Sequence, residues 1–436
     1  MLGQTLVALT SSAMAFAAPA TVPRQERGLP AVSLPIANPL APASFGSSKI
    51  AVTIDPNLQR DSCVTANALI DGRVLWICRD SLSLKNETLG QYAGFFTSSS
   101  ASWSNQTTGT TSSGGSGNQP KLDFVPLTQG QQFVTAGYLQ QLTQYGGPFP
   151  LPSPYLPYAA DQCPDSGGGC YGGRYIEWPD ASMYVTDVAS DGTTTGYLYT
   201  TAAAGGGNLT DNFPGTTLYK ITYTPTADID TLPEVTMIAE HFFPRFGFNY
   251  GAFGGVVSPT DGLLYLWGET YDFSPAAYNI SIGLARVAID SIENPDAYSY
   301  YYPASNTWSS TQPTIYDSAA NMTVGGIYGQ GTFYYNSKHS AYFFVGQSQN
   351  GLMNVSYTVA NTPEGPWSPM AEPVTLSTDF AYSFAAHPQM GHDPDQLYCS
   401  FTNNIDDPTV GNVYQQPLYL INFNGSSLAG VLSELL

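Results

Sequence analysis

An all-β, five-bladed β-propeller is the fold this sequence predicts, on three observations. The chain divides into short β-runs closed by turn dipeptides, and none carries a convincing amphipathic helical period. Five of these runs pair into hairpins of one plan: a small-residue strand, a Gly- or Asp-containing turn and a more apolar second strand. The chain's 436 residues exceed a typical single domain, which leaves two domains or one large repetitive β-architecture. A sandwich or jelly roll is the alternative that strand-rich text leaves open.

The hairpins occupy residues 62–80, 181–201, 251–269, 329–347 and 382–402. Asp71-Gly72 and Asp191-Gly192 read as hairpin turns, so turn geometry alone accounts for their aspartates. Ala, Gly and Ser in each first strand suit a crowded wall at the propeller axis, and the apolar second strands suit the packed middle of a blade. Residues 49–54 are expected to close the ring as an outer strand of the last blade. Residues 98–119, rich in Ser, Thr and Gly, read as a long surface loop within the fold.

Ahead of the propeller, residues 1–17 read as a signal peptide: a short apolar run ends in Ala15-Phe16-Ala17, although no Lys or Arg precedes it. Residues 18–44 are Pro/Ala-rich and aperiodic, a propeptide or flexible lead-in, and 45–436 form a single propeller domain. Sequons at Asn86, Asn105, Asn208, Asn279, Asn321, Asn354 and Asn424 add to the expectation of a secreted, extracellular glycoprotein.

Charge narrows the partners. Thirteen basic residues against 33 acidic ones give a net charge of −20, which disfavours nucleic acid and anionic membrane surfaces. No further segment is long and apolar enough to span a bilayer. Low charge content with 30 tyrosines points instead to a surface that meets sugars. A monomer is expected. Of five cysteines, Cys163 and Cys170 enclose a Gly-rich loop and are the favoured pair; Cys63 and Cys78 could bridge one hairpin, or either could pair with Cys399. One thiol is left over in every arrangement.

Several stretches then agree, in order, with one family. Arg60-Asp61-Ser62, Gly72-Arg73-Val74-Leu75-Trp76 and Arg79-Asp80-Ser81 open the series. Tyr175-Ile176-Glu177-Trp178-Pro179, Leu284-Ala285-Arg286-Val287 and Ala297-Tyr298-Ser299-Tyr300 follow. Gly329-Gln330-Gly331, Pro363-Glu364-Gly365-Pro366-Trp367-Ser368 and Ala381-Tyr382 with His387 complete it. The chain thereby resembles a secreted propeller family long labelled a domain of unknown function, some of whose members are endo-D-arabinofuranases. The resemblance implies a five-bladed propeller related in shape to arabinanase-type glycosidases. Cys78 and Arg79, just before Asp80, are a local departure beside that carboxylate.

Glycoside hydrolysis needs one carboxyl as acid and another as base or nucleophile. Antiparallel pairing brings the start of a first strand and the end of its partner to one rim, which collects Asp61, Asp80, Glu177, Asp180, Glu269, Gln330 and Tyr382. Asp61 is assigned as base or nucleophile, with Asp80 holding its charge or orientation. Glu177, beside Trp178 and Pro179, is the expected acid because an apolar setting raises a carboxyl pKa. Glu269 is the rival acid and a candidate for substrate binding with Tyr250, Gln330 and Tyr382, the two tyrosines by stacking on a sugar face. Trp76, Trp267 and Trp367 read as packing between blades.

No cofactor is expected, and the chemistry is read as metal-independent. His387 on the fifth inner strand reads as a hydrogen-bonded core histidine before it reads as the ligand of a structural cation in the channel. A secreted glycoside hydrolase acting on a polysaccharide is the leading expectation, and a non-catalytic, lectin-like propeller binding glycan on the same rim is the alternative.

Overall fold

A computed structural model describes residues 45–54, 58–85, 88–105, 133–134, 154–159, 174–205, 215–227, 231–270, 281–324, 330–347, 351–391, 393–407 and 411–423. The signal-peptide and lead-in assignments and the Cys163–Cys170 pair fall outside these residues. Among the described residues there is no α-helix, only strands and four single-turn 3₁₀ segments.

Apart from one small three-stranded sheet and the short parallel strand Phe133–Val134, the described strands fall into five antiparallel units, taken here as blades 1 to 5. Blade 1 consists of Cys63–Thr65, Arg73–Cys78 and Ser100–Asn105. Blade 2 has an inner strand in two pieces, Arg174–Trp178 and Tyr184–Val188, followed by Thr194–Gly205, Gly215–Tyr223 and Glu234–Phe243. Blade 3 runs Asn249–Val257, Leu263–Glu269, Ile282–Ala288, Ser299–Tyr302 and Thr307–Ser309.

Blade 4 comprises Gly331–Asn336, Ala341–Gln347, Gly351–Ala360 and the opening of Val374–His387. The end of that same strand begins blade 5, which continues through Gln396–Asp407 and Gly411–Phe423. Phe45–Ile54, from the start of the folded chain, pairs antiparallel with Gly411–Phe423 and completes blade 5, as residues 49–54 were expected to do.

Inner strands meet in cyclic order. Ala66 of blade 1 bridges Met183 of blade 2, Tyr184–Val188 packs on Asn249–Val257, that strand on Gly331–Asn336, that on Val374–His387, and the last on Cys63–Thr65. The ring is a five-bladed β-propeller.

Packing between blades explains the small residues of the inner strands more closely than crowding at the axis does. Trp267 of blade 3 stacks on Phe333 of blade 4 with ring centroids 4.0 Å apart and planes 3° apart, as packing tryptophans should. A Cβ at Gly254 would stand 2.5 Å from the Phe333 ring. The Asp71-Gly72 turn has both residues at positive φ, 51° and 70°, the geometry a two-residue hairpin needs.

One loop expectation is corrected. Ser100–Asn105, within the Ser/Thr-rich stretch read as loop, pairs with Arg73–Cys78 as a blade strand. Alternating Ser and bulky residues suit a strand with one polar face, and Trp103 is buried.

Candidate active site

All three strands of blade 1 break at one level. Leu58–Arg60, Ser81–Lys85 and Thr88–Thr97 form a second small sheet beyond the breaks, so Asp61-Ser62, Arg79-Asp80 and Ser98-Ser99 lie at the joint. Backbone bonds span it, Asp61 N–H to the Asp80 carbonyl and Arg79 N–H to the Ser62 carbonyl, each at 2.8 Å. Ser62 takes φ 42° here, a left-handed conformation that costs a non-glycine residue energy and persists only where surroundings impose it. Directly below, the Cys63–Cys78 disulfide ties the two strands that carry Asp61 and Arg79. This is one of the arrangements the sequence left open, and Cys399 stays a buried free thiol.

Asp61 is half-buried. Its Oδ1 accepts hydrogen bonds from Ser62 Oγ and Thr402 Oγ1, both at 2.9 Å, and the Tyr382 hydroxyl donates to the same carboxylate. Thr402 is held in turn by Gln416 Nε2 at 2.9 Å. Burial pushes the Asp61 pKa up and the Asp80 charge adds to this, while the Arg79 guanidinium and the hydroxyl donors pull it back. Burial next to Asp61 also pushes the Tyr382 hydroxyl up, which keeps it a donor.

Arg79 closes the other side of the recess. Its Nη1 meets Asp180 Oδ1 at 2.8 Å, and its Nη2 reaches Gln330 Oε1 at 3.0 Å and Ser383 Oγ. Gln330 Nε2 donates to Asp180 Oδ1 at 2.8 Å, so blades 1, 2, 4 and 5 join in one polar clamp. Burial raises the Asp180 pKa, and Arg79 and Gln330 oppose it. Trp178 faces the guanidinium at 5.0 Å and donates its indole N–H to Asp80 Oδ1 at 3.1 Å. Ser383, like Ser62, sits at positive φ, 58°. Ser62, Arg79, Asp180, Gln330 and Ser383 line a small recess between the inner strands.

The arrangement brings together Asp61, Asp80, Gln330 and Tyr382 of the sequence candidates. Glu269 ends the second strand of blade 3 in register with Asn249, on the same rim, and is buried, with 6% of its surface exposed. Two candidates are corrected. Glu177 has no solvent exposure; Thr200 Oγ1 and Thr217 Oγ1 donate to its two oxygens at 2.5 and 2.9 Å, and burial raises its pKa to about 8. It pairs inside the sheet opposite Ala202, which withdraws it from any ligand.

Tyr250 is also fully buried, its ring packed on Phe243, Phe248 and Tyr300 at 5.2 to 5.7 Å, where no sugar face reaches it. His387 is the core histidine that the sequence favours: Nδ1 bonds Thr65 Oγ1 at 2.9 Å and Nε2 bonds Ser400 Oγ at 2.8 Å. Burial lowers its pKa to about 3, so the ring is neutral, but with both nitrogens engaged it offers a cation no lone pair. Among the described residues no His, Cys, Asp and Glu side chains group as a metal site.

Arg79 and Asp180 are the residues the sequence reading left without a role. A signal for Arg79 exists in retrospect: it is one of only 13 basic residues and stands at a strand end opposite Ser62.

No protein-family model matches the chain, and no curated protein does. Among solved structures, a Bacteroides ovatus ATCC 8483 protein with a provisional hydrolase designation aligns at 17% identity over 85% of this chain and 87% of its own, with a TM-score of 0.55. Zg3597, a family 117 glycoside hydrolase of the marine bacterium Zobellia galactanivorans, aligns at 10% identity over 89% and 93%, TM-score 0.45. The catalytic domain of a Coprinopsis cinerea family 62 α-L-arabinofuranosidase aligns at 10% identity over 89% and 95%, TM-score 0.39. The likeness to the Bacteroides protein is one of fold, extending over most of both chains.

Proposed function

We propose that this chain is a secreted glycoside hydrolase that cuts a polysaccharide at the mouth of its propeller, with Asp61 as the reacting carboxylate. The observation that carries the reading is the setting of Asp61: a half-buried carboxyl oriented by three hydroxyl donors, beside a guanidinium clamped from three other blades. Ordered donors hold a base in its ionised form and fix its direction, while burial lifts its basicity. Asp61 takes a proton from water as that water attacks the sugar carbon. Asp80 and the Arg79–Asp180 pair set the charge around it.

The second carboxyl must protonate the leaving oxygen. Glu177 has no exposed surface, whereas Glu269, at the end of the second strand of blade 3, keeps 6% of its surface open and takes this role. Gln330 and Tyr382 contact the sugar. Export is supported by the Cys63–Cys78 disulfide, since such bonds persist in oxidising compartments, and by the sequons, of which Asn321 is exposed. The burial of Glu177 favours a second reading, a propeller that holds glycan without cutting it.

A panel of polysaccharides assayed for released reducing ends tests both. The parent chain is expected to release them from at least one glycan, and Asp61→Asn to slow release by roughly a hundred- to ten-thousand-fold. Release that survives Asp61→Asn removes Asp61 from the mechanism. A glycan that is bound yet never cleaved establishes the second reading.

A further inference from the structure

We propose that Phe380 is a sugar-stacking platform beside Asp61 and that the ring it receives belongs to a neutral glycan. The proposal rests on the glycan-directed reading above and adds a residue and a charge class to it. Phe380 is 56% exposed, one of five large hydrophobic side chains in the open among the described residues. It lies where strand Val374–His387 leaves blade 4 and turns into the inner strand of blade 5. Its ring centroid is 5.6 Å from that of Tyr382, whose hydroxyl donates to Asp61, and the next residue, Ser383, reaches Arg79.

Leu352 extends the same lip. It is 38% exposed and stands between Gly351 and Met353, which pair with Ala381 and Ser377.

Folding uses only part of this ring, the side that meets Tyr382. So open a ring buries little apolar area, and a polar residue would serve the exposed strand as well. A sugar ring suits the part left open, because its C–H face is apolar and its edge carries hydroxyls. With the face on Phe380, the edge points toward the Tyr382 hydroxyl and the Asp61 carboxylate. Charge selects the class. Asp379 is exposed next to Phe380 and the chain carries −20 overall, so a uronate or sulfated chain is repelled.

Binding is measured by titration calorimetry in the Asp61→Asn background, which keeps a bound chain intact. The probes are arabinan, xylan, galactan and mannan hexasaccharides together with a hexagalacturonate. A neutral hexasaccharide is expected to bind more tightly than the galacturonate, Phe380→Ala to weaken it about tenfold and Phe380→Trp to restore it. Equal affinity in Phe380→Ala, preference for the anionic chain, or no binding by any probe overturns the proposal. Cleavage assays separate it from the hydrolase reading. Binding that depends on Phe380 in a chain that releases no reducing ends keeps the platform and removes hydrolysis. Cleavage whose KM is unchanged in Phe380→Ala removes the platform alone.

Discussion

Glu177 and Asp180 stand three positions apart on one broken strand, and burial pushes both carboxyls upward, yet they end in opposite roles. Asp180 meets a guanidinium at 2.8 Å and an amide at 2.8 Å, in a recess shared by four blades. Glu177 is met by two threonine hydroxyls inside a sheet, with the Glu240 charge adding to the rise of its pKa to about 8. Between them the strand stops: pairing with Thr194–Gly205 ends at Trp178, and Pro179 begins the gap that lets Asp180 turn inward. The difference teaches that a carboxyl's place relative to the strand break decides between chemistry and core. A buried carboxylate with a cation stays charged, and one with only hydroxyls keeps its proton.

The largest effect expected is at Arg79. Arg79→Met leaves Asp180 buried without its cation and takes the same charge from Asp61, and should cost about 3–5 kcal/mol in urea unfolding at neutral pH. Adding Asp180→Asn to that variant should recover part of the loss. A melt for Arg79→Met that matches the parent would mean the clamp carries no charge, and the contrast with Glu177 would collapse.

Glu177→Gln comes next, and its sign depends on pH. The folded pKa, about 8, lies above the ordinary 4.5, so the folded chain holds a proton across that window which the unfolded chain has released. The contribution to stability is full below about 4.5, declines as pH rises, and is gone above about 8. Glutamine has no such proton. Between pH 4 and pH 9 the variant should therefore gain on the order of 4–5 kcal/mol relative to the parent, read from paired urea midpoints. Parallel curves for the two chains would show Glu177 ionised in the fold.

Much of the ring was legible because hairpins are local. Turn dipeptides and strand alternation lie within about twenty residues of each other, and the closing strand announces itself as a β-run before the first blade. The position of Asp61 was legible for the same reason, since it precedes an inner strand and strand starts share a rim. The clamp was not. Arg79 finds Gln330 and Ser383 at sequence separations of 251 and 304, and nothing local encodes which strand ends converge. Tyr250 shows a different failure. An aromatic at a strand start suits rim and core alike, and Gly251, at φ 83°, interrupts the alternation that would have distinguished them. Glu177 was misread because alternation gives a side chain's face, while its depth depends on where Thr200 and Thr217 of neighbouring strands fall.

The smallest effect tests whether hydroxyls alone hold Glu177. Thr217 Oγ1 donates to Oε1 at 2.9 Å, and this bond, like the one from Thr200, pulls the pKa down against burial. Thr217→Val keeps the shape and removes the donor, at a cost of about 1 kcal/mol. With one donor fewer the carboxyl's pKa rises further above about 8, while the unfolded value stays near 4.5. Stability should then go on falling past the pH at which the parent levels off, and an added Glu177→Gln should abolish the difference. Gln330→Met, the matching loss of a donor at Asp180, should leave the alkaline limb unchanged because Arg79 still stands at 2.8 Å. An alkaline limb that moves in Gln330→Met and not in Thr217→Val would reverse the assignment of which carboxyl keeps its proton.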